Sequence, residues 1–335
     1  MICGLGLRNL PKRLAGLSLA VAAVLTVSPA AWAADIADKK IAVSVMSIVE
    51  HPALNAIRDG VRDELKDHGY VEGKNLKWEF QSAQGNPTTA AQIARKFVGD
   101  KPDVIVTIAT PAAQAMVSAT KTIPVVYSAV TDPVAAQLVK NMDSSGTNVT
   151  GVSDVLELDK QVDLIKQVLP DATRVGMVYN PGEANSVVVV ETLKKILPGK
   201  GMTLVEASAP RTVDIAAAAR SLIGKVDVIY TNTDNNVVSA YEALVKVAEE
   251  AKMPLIASDT DSVVRGGIAA LGISYYDLGR QTGRMVLRIA DGASPATLPS
   301  ESSDKLHLFV NPGAAKRQGV TLSEEFIQSA TKVIE

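Results

Sequence analysis

Short apolar runs rich in β-branched residues alternate along this chain with longer segments whose apolar residues recur every three or four positions. IAVSVM (Ile41–Met46) is of the first kind and predicts a buried strand. In the following HPALNAIRDGVRDELKDHGY, Leu54, Ile57, Val61 and Leu65 fall on one helical face and Gly69 stops the pattern. NLKWEF then reads as a second strand, AAQIARKFV as a helix, DVIVTIA as a third strand and IPVVYSA as a fourth. Strands alternating with helices predict a parallel sheet covered on both faces.

The order then recurs. RVGMVYN corresponds to KIAVSVM, MTLVEASA to NLKWEFQSA, AAAARSLIGKVDVIYT to AQIARKFVGDKPDVIVT, and MPLIASD to IPVVYSA. Asp103-Val104-Ile105 and Asp227-Val228-Ile229 hold the same place in the two units. Two units of one order predict two similar α/β lobes, and the chain is long enough for two cores. One segment is locally ambiguous. The four valines of SVVVVETLKKIL favour a strand, whereas Val189, Leu193 and Ile196, and the position after a strand, favour a helix.

NVTGVSD (Asn148–Asp154) carries the chain from the first lobe to the second. After AALGIS (Ala269–Ser274), the helix DLGRQTGRMVLRIADG is one more than the repeat requires, so it is expected to return to the first lobe. The expected divisions are 34–150 for the first lobe with 276–305 returning to it, 151–275 for the second, and 306–335 for a last crossing and tail. Several connections predict a hinge rather than a loose linker.

In this layout a ligand belongs in the crevice outside the carboxyl ends of the strands. Those ends read SIVEHPALN, ATPAAQ and SAVTDP in the first unit, and YNPGEANS, TNTDNN and ASDTDS in the second. Short polar residues also cap helices and make turns, so any single end has an ordinary reading. Six of them at one topological position favour a binding cleft. Thr110 reads as an N-cap and Pro111 as the first helical residue, with Ala112 and Ala113 leaving room above the helix end. The helix starts at Thr110–Ala113 and near Asn185-Ser186 offer N–H groups and partial positive charge to a carboxylate. Asp132, Asp234 and Asp259 offer acceptors to an ammonium. Structural alternatives stay open: a capped turn for Asp132, a helix cap for Asp234, and a turn residue for His51 before Pro52.

Composition adds a leader and removes several chemistries. Arg8, Lys12 and Arg13 precede the 14-residue apolar run LAGLSLAVAAVLTV, and Ala31-Trp32-Ala33 supplies small residues for cleavage. Residues 1–33 therefore read as a secretory signal peptide, too short in its apolar part to span a bilayer. The one cysteine, Cys3, lies ahead of that run, so the mature chain rests on burial without disulfides and has no lipid-attachment cysteine. A formal net charge of −2 with no basic run argues against nucleic acid. There is no G-x-S-x-G elbow, Walker loop or G-x-G-x-x-G in the mature chain, and His51, His68 and His307 lack metal-ligand spacing. No catalytic residue, cofactor or metal is expected. Aromatic residues make up only 4% of the chain, with Tyr127, Tyr179, Tyr230 and Tyr275 near strand ends or crossings, which disfavours a sugar site built on stacking platforms.

The combination VEHPALN…G…L…HGY, ATPAAQA, IPVVYSAVTDPVAAQLV, NVTGVSD, YNPGEANS and TDNNVVSA resembles the substrate-binding proteins of ABC transporters. The subgroup it resembles includes tryptophan-, tyrosine- and phenylalanine-binding members, over about Ile41 to Val333. The resemblance implies a type I periplasmic binding fold: two Rossmann-like lobes with parallel sheets, three crossing segments, and closure on one ligand. It implies a small-molecule ligand, often an amino acid, with an integral-membrane permease and a cytoplasmic ATPase as partners. Carried over residue by residue, the implied ligand contacts are Glu50, His51, Thr110, Pro111, Ala112, Ala113, Val130, Thr131, Asp132, Asn185, Ser186, Asp234, Asn235 and Asp259. The Thr110 turn would hold the carboxylate and Asp234 or Asp259 the ammonium, while Ala112, Ala113 and Val130 would leave volume for an aromatic or branched side chain. A periplasmic monomer is expected. A sensor that presents its closed form to a membrane receptor remains the alternative.

Overall fold

The computed structural model describes residues 39–303 and 305–335, so the leader read over 1–33 lies outside the described residues. The first unit runs β1 (Ile41–Ser47), α1 (Pro52–Asp67), β2 (Leu76–Ser82), α2 (Pro87–Asp100), β3 (Val104–Ile108), α3 (Thr110–Ala119), β4 (Val125–Ser128) and β5 (Val149–Ser153). The second begins with α4 (Leu158–Val168) and β6 (Arg174–Tyr179), then α5 (Ala184–Ile196), β7 (Thr203–Ser208) and α6 (Ile215–Ser221). It continues through β8 (Val228–Thr231), α7 (Asn235–Ser239), α8 (Tyr241–Ala251), β9 (Leu255–Ala257), α9 (Thr260–Val264) and β10 (Ala269–Gly272). The chain ends with α10 (Tyr275–Ala290), β11 (Glu301–Ser302), β12 (His307–Val310), α11 (Pro312–Arg317), α12 (Glu324–Gln328) and β13 (Lys332–Val333).

Two sheets form, in the orders β2-β1-β3-β4-β5-β11 and β7-β6-β8-β9-β10-β12-β13. The first five strands of each follow one order, and every pairing is parallel except β10 with β12. The expected α/β class with two parallel-sheet lobes is thus observed. The repeated aspartates even do the same job. Asp103 accepts the Ala42 N–H at 2.7 Å, and Asp227 accepts those of Thr173 and Arg174 at 2.9 and 2.8 Å, so each pins the start of its lobe's first strand. The valine-rich 186–197 segment is helical. Val189, Val190 and Leu193 bury one face of α5 against the second sheet, and that burial outweighs the local β preference of valine.

β5 is an inner strand of the first sheet, so that sheet extends to Ser153, beyond the division expected at 150. The chain passes between the sheets three times: after β5, between β10 and α10, and between β11 and β12. α10 lies along α1 at very close approach. A Cβ on Gly279 would meet the Ile57 carbonyl oxygen at 2.3 Å, and one on Gly60 the Tyr276 carbonyl oxygen at 2.3 Å. Where the two helices touch, only glycine fits. Arg280 on α10 reaches the buried Glu64 of α1 at 2.6 Å, which fixes the register of the pair. The first core is one large cluster, whereas the second lobe buries two clusters on opposite faces of its sheet.

Candidate functional site

The order 2-1-3-4-5 in each sheet puts a topological switch point between its first and third strands, where adjacent connections leave in opposite directions. In the first lobe the connections at that point carry His51, after β1, and Ala109-Thr110, after β3. In the second they carry Asn185, after β6, and Thr233 to Asn235, after β8. All of these except Asp234 line one cavity between the lobes, together with Ala53, Leu54, Ala129, Thr131, Asp154, Val238, Asp259 and Tyr275. The two switch points face each other.

Two wall groups are unsatisfied. Thr110 Oγ1 and Asn185 Oδ1 are buried with no hydrogen-bond partner, an arrangement that costs about 1–3 kcal/mol per group. The helices that carry them share a second feature. α1, α2, α7, α9 and α10 each start with a side chain bonded to their first N–H groups; of the helices without such a cap, α3, α4, α5, α6 and α8, the two that carry these wall groups are α3 and α5. These helices belong to opposite lobes, and neither has a side chain bonded to its first N–H groups. Among the described residues, no lysine or arginine lines the cavity. The nearby Arg265 is held by Glu242 at 2.7 Å and by the Val238 carbonyl at 2.6 Å. An anion at the start of α3 would be met by a helix end, not by a cation.

The backbone is strained on the first lobe's side. Ala109 has φ 76° with ψ 155°, and Ala129 has φ 53°. Such values in a residue with a Cβ cost of order 1–3 kcal/mol and cluster where a site demands them. Each follows the end of a strand, and each presents only a methyl to the cavity.

The acidic side is built in the crossing segments and the second lobe. Asp154 Oδ1 accepts from Thr131 Oγ1 at 3.2 Å and its Oδ2 from the Tyr275 hydroxyl at 3.0 Å. Thr131 Oγ1 also lies 3.4 Å from Thr233 Oγ1, a direct hydrogen bond from lobe to lobe. Asp259 accepts from the Ser262 N–H at 2.8 Å and from its hydroxyl at 2.6 Å. Burial pushes both carboxyls above the usual range, and among the described residues neither makes an ion pair with a cation. An ammonium would supply the missing charge. His51 caps α1 through Nδ1, at 3.5 Å from the Leu54 N–H. Burial first, and the charge of Arg265 second, push its pKa down to about 3, so the ring is neutral at the cleft.

The cavity is tight, about 20 Å³, roughly one water molecule's room. Pockets for small ligands usually run to about 300–1,000 Å³, so an amino acid enters only with the lobes parted. A wider hollow of about 500 Å³ lies at the opposite, amino ends of the first sheet, lined by Lys40, Lys77, Trp78 and Asp103. That hollow belongs to one lobe and holds none of the buried unpartnered atoms, so the inter-lobe cavity is the stronger site.

Of the residues expected at a ligand, His51, Thr110, Thr131, Asn185, Asn235 and Asp259 line this cavity. The others do not. Glu50 is exposed and bonded to Gln84 at 3.1 Å, outside the wall. Pro111 is half-buried on the outer side of its helix start, and Ala112, Ala113 and Val130 point into the first lobe's core. Asp132 caps its own turn, accepting from the N–H groups of Val134 and Ala135 at 3.1 and 2.9 Å. Asp234 is wholly consumed: Asn180, Ser186, Asn236 and Val237 all donate to it, so it holds α7 and offers nothing to a ligand. Ser186 stands behind the wall on Asp234. Thr110 is not the cap expected; it is the first residue of α3, and the N-cap position falls one residue earlier, at strained Ala109, which frees the threonine hydroxyl for the cavity. Sequence reasoning also passed over Ala53, Leu54, Ala109, Ala129, Asp154, Thr233, Val238 and Tyr275 as wall residues. Asp154 and Tyr275 sit where the chain crosses between lobes, and that position was the available signal.

The model of the family described as ABC transporter substrate binding protein matches residues 40–334. The chain is 40% identical over 274 residues to a tyrosine-binding protein of Clostridioides difficile, covering 82% of this chain and 79% of that protein. Among solved structures it resembles the ABC domain in complex with L-Trp from Streptococcus pneumonia, with TM-score 0.85, 35% identity, and coverage of 88% of this chain and 100% of that one. It also resembles a ligand-free, open substrate binding protein with adhesive properties from Clostridium difficile, with TM-score 0.67, 38% identity, and coverage of 88% and 99%.

Proposed function

This chain belongs to the ABC transporter substrate-binding protein family, and we propose that it captures an aromatic amino acid between its lobes and delivers it to a membrane permease. The observation that carries this reading is the pair of buried, unpartnered atoms, Thr110 Oγ1 and Asn185 Oδ1, on two uncapped helix ends that face each other across the cleft. The ligand carboxylate lies at the start of α3, where the Thr110 hydroxyl and the free N–H groups receive it. Its ammonium lies toward Asp259, with Asp154 adding negative charge nearby. The ring packs on the low apolar wall of Ala53, Leu54, Ala109, Ala129 and Val238. The relatives named for tyrosine and bound to L-Trp support the aromatic class.

Closure follows from contacts that only the joined lobes make. Thr131 meets Thr233, and a ligand bridging α3 and α5 adds further links, so it stabilises the closed state by its differential affinity. A micromolar constant, about −8 kcal/mol, suffices for capture and release. Isothermal titration of the mature protein against the twenty amino acids and common sugars tests the reading. One-to-one binding of L-tyrosine, L-tryptophan or L-phenylalanine is expected. Heat from a sugar, with none from any aromatic amino acid, would overturn it.

A further inference from the structure

Behind the second lobe's wall sits a buried carboxylate that touches no cavity surface. Glu183 is 5% exposed and is the N-cap residue of α5, yet its side chain makes no capping bond to that helix. Its Oε2 instead accepts from Asn185 Nδ2 at 3.2 Å, from the Asn235 N–H at 3.1 Å and from Asn235 Nδ2 at 2.6 Å. Asn185 Nδ2 donates a second time, to the Thr233 carbonyl at 3.3 Å. Both partners of that amide nitrogen are pure acceptors, so the network admits one orientation of the Asn185 amide. Its oxygen must face the cavity, and it is there that Oδ1 lies buried and unpartnered. Asn235 likewise has its amide nitrogen turned back onto Glu183.

We infer that Glu183 is the positioning residue for amino-group recognition: by drawing back the –NH₂ groups of Asn185 and Asn235, it makes the second lobe's wall an acceptor of hydrogen bonds. This rests on the reading of the ligand as an aromatic amino acid, and it assigns the α5 side of the cleft to the ammonium and the α3 side to the carboxylate. A ligand lacking the donor leaves Asn185 Oδ1 unsatisfied in the closed state, which penalises it more than loss of one exposed contact would. The same network couples recognition to pH. Burial, and then the charge of Asp234, push the Glu183 carboxyl up to about 7. Asp234, itself held by Ser186 and Asn180, is the ionisable group packed against it; Asp154, Asp259 and the neutral His51 face the same cavity from the other elements. As pH falls through that value, Glu183 gains a proton, becomes a poorer acceptor, and loosens both asparagines.

The test compares L-tyrosine with 3-(4-hydroxyphenyl)propanoate, its analogue without the amino group, by isothermal titration of wild type and Glu183→Gln. Wild type is expected to prefer L-tyrosine by at least about 100-fold, with affinity falling several-fold between pH 8 and pH 6. In Glu183→Gln one acceptor oxygen becomes an NH₂ donor and the charge is lost, so the asparagine amides are held less firmly. The preference should drop at least about tenfold and the pH dependence flatten over that range. A structural role alone would weaken both ligands alike and keep the preference, and that result overturns the inference while leaving the binding function standing. Failure of wild type to bind L-tyrosine, L-tryptophan or L-phenylalanine would sink the functional reading as well; if it binds one of the other two instead, that amino acid and its deaminated analogue serve in the same comparison. Should Glu183→Gln not fold, as judged by its melting transition, Asn185→Ser removes the amide that Glu183 orients. It must show the same loss of preference, or the inference is wrong.

Discussion

The two lobes share a strand order and even the aspartate that pins each first strand, but they meet the cleft with different surfaces. The first offers small side chains on strained backbone, Ala109 and Ala129, with one free hydroxyl on Thr110. The second offers a connected polar network in which Glu183, Asp234 and Asp259 hold the asparagines and short helices in place. A duplicated scaffold has thus been divided by role. One half leaves space and a helix end; the other fixes hydrogen-bonding direction. Each half also relies on different support, since the first depends on the returning helix α10 and the second on buried aspartate caps.

The largest effect is expected where the first lobe is most tightly built. Gly279→Val drives a side chain into the Ile57 carbonyl of α1 and should cost about 3 kcal/mol or more, read as a lower urea midpoint. In the second lobe, Asp234→Ala strips four donors of their acceptor and should cost about 3 kcal/mol, whereas Asp132→Ala in the first lobe, an exposed turn cap, should cost about 1 kcal/mol and leave affinity unchanged. Equal losses would show that the caps are equivalent and the contrast false. Asp259→Asn keeps the size of the side chain and removes its charge, so binding of an aromatic amino acid should weaken about 10- to 100-fold by titration calorimetry.

The pH response is smaller and has a definite sign. Asp261 is raised to about 6, by burial first and the charge of Asp259 second, and Glu183 is raised to about 7. A carboxyl whose folded-state pKa lies above its unfolded value binds its proton more tightly in the native chain. Its contribution to stability is therefore largest below the unfolded value, near 4, and is lost as pH rises through about 6 to 7. Scanning calorimetry from pH 5 to pH 8 should show the second lobe losing about 1 kcal/mol per group, and Glu183→Gln should blunt that loss. Stability and amino-group recognition then move in opposite directions across this range. Smallest of all, Ala109→Gly removes the strain at φ 76° and should leave the melting temperature unchanged or slightly raised, in contrast to the usual penalty for glycine.

Much of the fold was legible because apolar periodicity and the repeated order of segments are written in side-chain chemistry. The segment 186–197 was the local exception, and only its place between strands identified it as a helix. The site was legible to the level of strand ends but not of faces. Ala112, Ala113 and Val130 are at the right ends and turn inward, since helix rotation and strand parity decide direction and neither is visible in six residues. Thr110 was displaced from its expected cap by one residue because Ala109 takes a conformation that its composition disfavours. Asp234 carried a true cap signal, and a cap it is. Asp154 and Glu183 were missed for a common reason. Their importance comes from partners distant along the chain, Tyr275 for one and Asn235 for the other.

The central claim is that one aromatic amino acid is gripped from both lobes at the paired strand ends, and a crystal structure of the mature protein grown with L-tyrosine tests it most directly. The carboxylate is expected at the start of α3 within hydrogen-bond reach of Thr110, and the ammonium against Asn185 and Asp259, with the cavity wider than its present 20 Å³. A ligand resting on one lobe alone, or lodged in the hollow beside Trp78, would contradict it.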